Sequence, residues 1–140
     1  MKKTYENSIE YKALQVINHT KHAAILREDF LHLGSYRQVS RALHRLIEKK
    51  KLIRIGLGIY GEAEEFMSHV LLKKDFVTVS RNALDRFNVR WLPGTAESEY
   101  NAGLSQQVPV HNFVRLESRF RCKMSHLKLR LYYEGEINAR

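Results

Sequence analysis

Apolar residues return at helical spacing in the first fifty positions. Tyr5, Ile9, Ala13, Val16 and Ile17 predict a helix over 4–18. Asn18 to His22 breaks the pattern. ILREDFLHL, residues 25–33, suits a short second helix with Ile25, Phe30 and Leu33 buried, and Gly34 ends it as a C-cap glycine would. The clearest element follows. Ser35 with Gln38 three residues later is a capping-box start. Val39, Ala42, Leu43, Leu46 and Ile47 then form one apolar stripe at i, i+3, i+4, i+7, i+8. The opposite face carries Arg37, Arg41, His44, Arg45 and Glu48, with Gln38 and Ser40 on the flanks. Lys49 to Lys51 close the helix, where cations meet the negative end of its dipole.

The period changes after residue 51. Leu52 to Ile55 reads as a strand, and the glycines of GLG followed by IYG signal a β-hairpin. Residues 63–74 predict a further helix with Phe66, Val70 and Leu71 on one side. DFVTVS, 75–80, reads as a strand or an extended linker. SRNALDRF, 80–87, reads as a short helix capped by Ser80. Val89 to Leu92 is a short strand and Pro93-Gly94 a turn. Thr95 would cap a small helix through Ala102, ended by Gly103. The tail holds three strand-like runs, HNFVRL, RFRCKM and LKLRLYY. Phe120, Cys122 and Met124 alternate with Arg119, Arg121 and Lys123, while Leu127, Leu129 and Leu131 alternate with Lys128 and Arg130. Period-two alternation argues a sheet with one buried and one solvated face, and that solvated face is basic. The expected fold class is α+β. A winged helix-turn-helix domain over 1–62 leads through a connecting segment, 63–79, to a small α+β C-terminal domain with an antiparallel sheet, 80–140.

Charge sharpens this picture. The chain has 140 residues, 44% of them apolar, and a net charge of +9. Residues 35–54 alone hold seven basic side chains against one acid, Glu48. Cations packed into one element suggest a polyanion, because neutralised phosphates release their counterions. The single cysteine, Cys122, cannot form an internal disulfide, which suits a reducing cytoplasm. No apolar run reaches the roughly 18 residues that span a membrane. His19 and His22 lie three apart without a third ligand nearby, so neither a metal site nor a cofactor is expected, and no catalytic constellation stands out.

GLGIYG, 56–61, is a literal match to the dinucleotide fingerprint G-x-G-x-x-G, and Asp75 lies 19 residues beyond Gly56. Three features oppose that reading. The preceding strand carries Arg54, whereas a central parallel strand should be apolar on both faces. The following helix would begin with Glu62, Glu64 and Glu65, which repel a pyrophosphate. Asp75 precedes a strand-like run instead of ending one. A hairpin wing explains the same residues: Gly56 and Gly58 permit close approach to a backbone, flanked by Arg54 and Tyr60.

On that reading helix 36–50 enters the major groove. Arg37, Gln38 and Arg41 are the candidate base readers, since arginine suits guanine and glutamine suits adenine. Ser35, Ser40, His44 and Arg45 would position against phosphates. Lys49, Lys51, Arg54, Gly56, Gly58 and Tyr60 would hold the DNA backbone. Arg119, Arg121, Lys123, Lys128 and Arg130 form a second basic patch. NAGLSQQVPV, 101–110, reads either as a buried polar turn in which Asn101, Ser105 and Gln107 bond backbone groups, or as a partner-binding surface.

The stretch from Asp29 to Gly61, followed by LPGTAESEYNAGLSQQVPVHNFVRL, resembles the AbiE-type antitoxins of bacterial type IV toxin–antitoxin systems, including short relatives of unknown function. The similarity runs from residue 29 to about residue 131. Its more specific part is P-G-x-A…N-x-G-L-S-x-Q-V-P, with Gln106 where threonine is usual. The resemblance implies an N-terminal winged helix, a C-terminal domain, repression of the protein's own operon and a nucleotidyltransferase-like toxin as partner. Double-stranded DNA of its own promoter is then the expected ligand, with a homodimer as an open arrangement and no membrane partner. A stand-alone winged-helix regulator and an RNA- or ribosome-binding basic protein are the alternatives.

Overall fold

The computed structural model describes residues 8–107 and 111–134. Tyr5 of the expected first helix, and Val108 to Val110 of the NAGLSQQVPV motif, lie outside them. The architecture is α+β, as the alternating periods lead one to expect.

Helix α1 spans Ile9–His19 and is capped by Ser8, whose Oγ accepts from the Tyr11 N–H at 3.0 Å. Strand β1, Ala24–Leu26, and a 3-10 helix, Arg27–Leu33, stand where a single short helix was expected. The reason is pairing: Ala24, Ile25 and Leu26 face Gly61, Tyr60 and Ile59 across an antiparallel ladder. Three adjacent buried residues cannot lie on one helical face, but a strand covered on both sides accommodates them. Helix α2, Tyr36–Glu48, has the expected capping box and buries Val39, Ala42, Leu43 and Leu46.

Strands β2, Leu52–Gly56, and β3, Ile59–Phe66, form the expected hairpin around Leu57-Gly58. Gly58 sits at φ +71°, a conformation that costs any side-chain-bearing residue. The helix expected over 63–74 is absent. Strand β3 runs on, turns through Met67 and Ser68, and returns as β4, His69–Leu72. Both turn residues have positive φ, 50° and 69°, the geometry that matches the twist of a hairpin.

The next correction is larger. Residues 75–80 are neither strand nor linker but the start of helix α3, Phe76–Arg86. Asp75 caps it, accepting from the Thr78 N–H at 2.8 Å. Phe76, Val79, Ser80, Ala83 and Leu84 form its buried stripe, so Ser80, expected as a cap, lies mid-helix. Strand β5, Trp91–Pro93, and helix α4, Thr95–Asn101, follow. Thr95 does not cap α4. Its N–H and its hydroxyl both donate to Glu134 Oε1 at 2.9 Å, so the cap comes from the far end of the chain.

Strands β6, Phe113–Leu116, and β9, Tyr132–Glu134, flank a small hairpin of β7, Ser125–His126, and β8, Leu129–Arg130. The sheet β5-β6-β9 is mixed: β5 and β6 run antiparallel, β6 and β9 parallel. A wholly antiparallel C-terminal sheet is therefore not what forms, and RFRCKM is not a strand. Its alternation survives without a ladder: Met124 is buried, Phe120 and Cys122 half-buried, and Arg119, Arg121 and Lys123 exposed.

Two apolar clusters organise the described residues. One joins α1, α2 and the 3-10 helix through Ala13, Ile17, Phe30, Val39, Leu43 and Leu46, with Ile25, Leu52 and Tyr60 from the sheet. The other joins α3 and the C-terminal strands through Phe76, Val79, Leu84, Val114, Met124 and Leu131, with Ala24, Leu26, Ile55 and Ile59 from the same sheet. Sheet β1-β3-β2 is thus a shared layer, buried on both faces. A boundary after residue 62 falls inside β3, and the segment 63–79 holds the rest of β3, all of β4 and the first turn of α3.

Candidate nucleic-acid interface

Helix α2 presents its polar side to solvent because its apolar stripe is turned against α1 and β2. Arg37, Arg41, His44 and Arg45 are exposed, as is Tyr36. Ser35 and Gln38 are committed to the cap. Gln38 N–H donates to Ser35 Oγ at 3.2 Å, and Gln38 Oε1 accepts from the Ser35 N–H at 2.9 Å. The amide nitrogen of Gln38 then remains as a donor for a base edge. His44 Nε2 lies 3.2 Å from Glu48 Oε2.

Charge on this face is sorted by a buried acid that local sequence patterns did not reveal. Glu10 of α1 is 6% exposed. It pairs with Lys49, and with Arg45 at 3.9 Å. A buried carboxylate needs counter-charge, so these two cations serve the packing of α1 on α2. Arg37, Arg41, Lys51 and Arg54 are exposed, and among the described residues none of them is in an ion pair within 4.0 Å. Arg54 Nε donates to the Gly56 carbonyl at 3.1 Å.

Arg27 joins the start of α2 to the β2–β3 turn, and no short-range signal singled it out. Its N–H donates to the Gly58 carbonyl at 3.0 Å. Its guanidinium donates to the Tyr36 carbonyl at 3.0 Å and to Ser40 Oγ, and lies 3.9 Å from the Tyr36 ring centroid. Ser40 is therefore held from behind. Two other candidates are placed elsewhere. Tyr60 is 6% exposed and belongs to the α1–α2 core, so it cannot flank the hairpin tip. Gly56 does permit a close backbone approach, but to the protein itself: a Cβ there would stand 2.6 Å from the Lys123 carbonyl oxygen.

The second basic segment is thereby brought against the β2–β3 hairpin. Arg119, Arg121, Lys123, Lys128 and Arg130 are all exposed, and β7 packs against β2. The thiol of Cys122 is pushed up by burial, partly opposed by the Leu57 backbone and the charge of Arg54, which places residue 122 beside the β2–β3 turn.

The P-G-x-A…N-x-G-L-S-x-Q-V-P motif, 93–109, divides. Its start is structural: Glu97 of α4 is buried and meets Arg81 Nη2 at 2.7 Å and His111 Nδ1 at 3.1 Å. Burial works to raise the Glu97 carboxyl, but the hydrogen bonds from Arg81 and His111 outweigh it and hold it below the usual value. Its described continuation, residues 101–107, is not a buried polar turn. Asn101, Leu104, Gln106 and Gln107 are exposed, and Gln107 N–H donates locally to Ser105 Oγ at 3.2 Å. A shallow, open depression lined by Asp85, Asn88, Val89, Arg90, Trp91 and Glu117 lies beside α3. Among the described residues no group of three or more His, Cys, Asp or Glu is placed to hold a metal ion, and no helix is long and apolar enough to cross a membrane.

No curated protein and no solved structure matches the chain. A family model does match, over residues 12–123, which takes in both basic segments up to Lys123 and the sheet between the two cores. The chain belongs to DUF6088, a family of unknown function.

Proposed function

We propose that the chain is a DNA-binding transcriptional regulator of the winged helix-turn-helix kind, and the antitoxin and autorepressor of a type IV toxin–antitoxin operon. One observation carries the DNA-binding half. The order α1, β1, 3-10 helix, α2, β2, β3, with sheet order β1-β3-β2, leaves the charged side of α2 open beside a tight hairpin turn. That is the arrangement in which a recognition helix enters the major groove while the wing rests on phosphate. Arg37 and Arg41 are the base readers, and the amide of Gln38 is a third. Arg54, Lys51 and the turn at Leu57-Gly58 meet the backbone. Arg27 holds helix and wing at a set distance from one another. The reading is that of a binder.

The antitoxin half rests on the resemblance carried by Pro93 to Pro109, and the exposure of Tyr100 and Leu104 suits docking of a toxin. Fluorescence anisotropy with a duplex from the chain's own promoter, a scrambled duplex and a structured RNA tests the first half. Preference for the promoter is expected, and Arg41→Ala should reduce the discrimination by about 1–3 kcal/mol. Preference for RNA would instead favour a ribosome- or RNA-binding protein. Co-expression with a neighbouring nucleotidyltransferase-like reading frame tests the second half. Continued growth arrest would leave a stand-alone regulator.

A further inference from the structure

We infer that residues 119–130 form a second phosphate-binding arm, which extends the winged-helix interface along the duplex. The inference rests on the DNA-binding reading above. The segment RFRCKMSHLKLR contains five Lys/Arg and no acid. All five side chains are exposed, and none is in an ion pair among the described residues. On α2, by contrast, Arg45 and Lys49 are drawn to Glu10. The arm is the more available half of the basic surface.

Its backbone is pinned while its cations stay exposed, with only Arg130 near a ring, 5.6 Å from the Tyr132 centroid, among the described residues. Met124 is fully buried, and its carbonyl accepts from the Leu131 N–H at 3.1 Å. The Cys122 carbonyl accepts from Tyr133 Oη at 2.6 Å. Phe120 lies 5.6 Å from the Phe87 ring centroid and 6.3 Å from that of Tyr133. Over 119–124 alternate residues therefore anchor inward and the charges project outward, so the backbone of the row is preorganised and the ordering cost on binding falls on its side chains. Its place is set by the wing. Gly56 lies against the Lys123 carbonyl, and the Gly58 carbonyl takes the Arg27 N–H at 3.0 Å. One continuous path thus leads from the start of α2, through Arg27 and the wing turn, to Lys123 and on to the β7–β8 hairpin. Duplex phosphates on the far side of the wing from the recognition helix are the ligand that fits this row. Such phosphate pairing carries no sequence information.

The test uses the full chain, its promoter duplex and a scrambled duplex of equal length, titrated at several salt concentrations. Lys123→Gln/Lys128→Gln/Arg130→Gln should weaken binding to both duplexes by the same factor, roughly tenfold. It should also lower the slope of log affinity against log salt by about 2–3, close to 0.9 for each phosphate no longer neutralised. The hydroxyl-radical footprint should retract at one edge. Lys123→Arg/Lys128→Arg should keep the wild-type slope, and unchanged thermal unfolding shows that both variants fold. A triple variant with wild-type slope and footprint overturns the arm while leaving the winged helix intact. A wild-type chain that binds no duplex overturns both, and Arg37→Ala/Arg41→Ala marks the difference by losing discrimination with the arm still contributing to the slope.

Discussion

The two sides of sheet β1-β3-β2 are held together differently. On one side, α2 supplies Val39, Leu43 and Leu46 to a core that closes within residues 13–60. On the other, the described chain after residue 90 buries only three apolar side chains, Val114, Met124 and Leu131. Polar interactions set the remaining positions there. Arg81 grips Glu97 and the His111 carbonyl, Glu134 caps α4, and Arg115 reaches the Pro93 carbonyl and Ser98 Oγ, each at 3.0 Å. The contrast teaches where each half is vulnerable. The first half depends on volume, the second on the pairing of a few charges.

Removing volume should have the largest effect. Leu46 is fully buried, so Leu46→Ala should cost about 3–4 kcal/mol in denaturant unfolding. A cost near 1 kcal/mol would mean that the helical core is plastic and the comparison too sharp. Removing a charge partner should cost somewhat less. Arg81→Met leaves Glu97 buried with His111 alone, a loss of about 2–3 kcal/mol at neutral pH. The sign of its pH dependence follows from the depressed Glu97 pKa. A carboxyl held below its unfolded value stabilises fully above that value, 4.5, and loses its contribution as pH falls through the folded one. The gap between wild type and Arg81→Met should therefore close as pH falls from 4.5 through the lower folded value. A gap independent of pH would assign Arg81 to packing instead.

Gly56→Ala probes the seam between the halves. Its Cβ would press on the Lys123 carbonyl at 2.6 Å, a backbone atom that cannot simply rotate away. A loss of about 1–2 kcal/mol is expected, with increased amide exchange at residues 122–124 if the C-terminal segment lifts from the hairpin. The smallest effect should be a gain. Met67 and Ser68 hold positive φ without being glycine. Met67→Asn/Ser68→Gly should stabilise the β3–β4 hairpin by about 0.5–1 kcal/mol in thermal unfolding.

Legibility followed the same division. The α2 stripe, its capping box and the β2–β3 hairpin could be read because each is a local pattern that its burial does not contradict. Helix α3 could have been read too. Phe76, Val79, Ser80, Ala83 and Leu84 are spaced i, i+3, i+4, i+7, i+8, and Asp75 stands where a cap belongs. The β-branched residues of FVTVS suggest a strand, and packing against β1 overrode that preference. Glu62 to Phe66 became strand because β3 was already paired on both sides and β4 could fold back on it. On the surface, sequence correctly marked Arg37, Arg41 and Arg54 as exposed cations, but it could not show that Tyr60 faces inward.

What the sequence determined by itself is everything that depends on near neighbours: the amphipathic α2, the glycine turn after β2, the in-and-out alternation over 119–124, and the concentration of positive charge in two segments. What only the tertiary structure decided depends on residues far apart in the chain. Glu10 claims Arg45 and Lys49, Glu134 caps α4, and Gly56 receives the Lys123 carbonyl. The physical reason is range. Capping and periodicity act within one or two turns of helix, whereas a buried charge or a glycine gap takes whatever partner the packed chain brings to it. Residues 54–58 and 122–126 are distant in sequence, and packing of the C-terminal segment on the β2–β3 hairpin makes them neighbours.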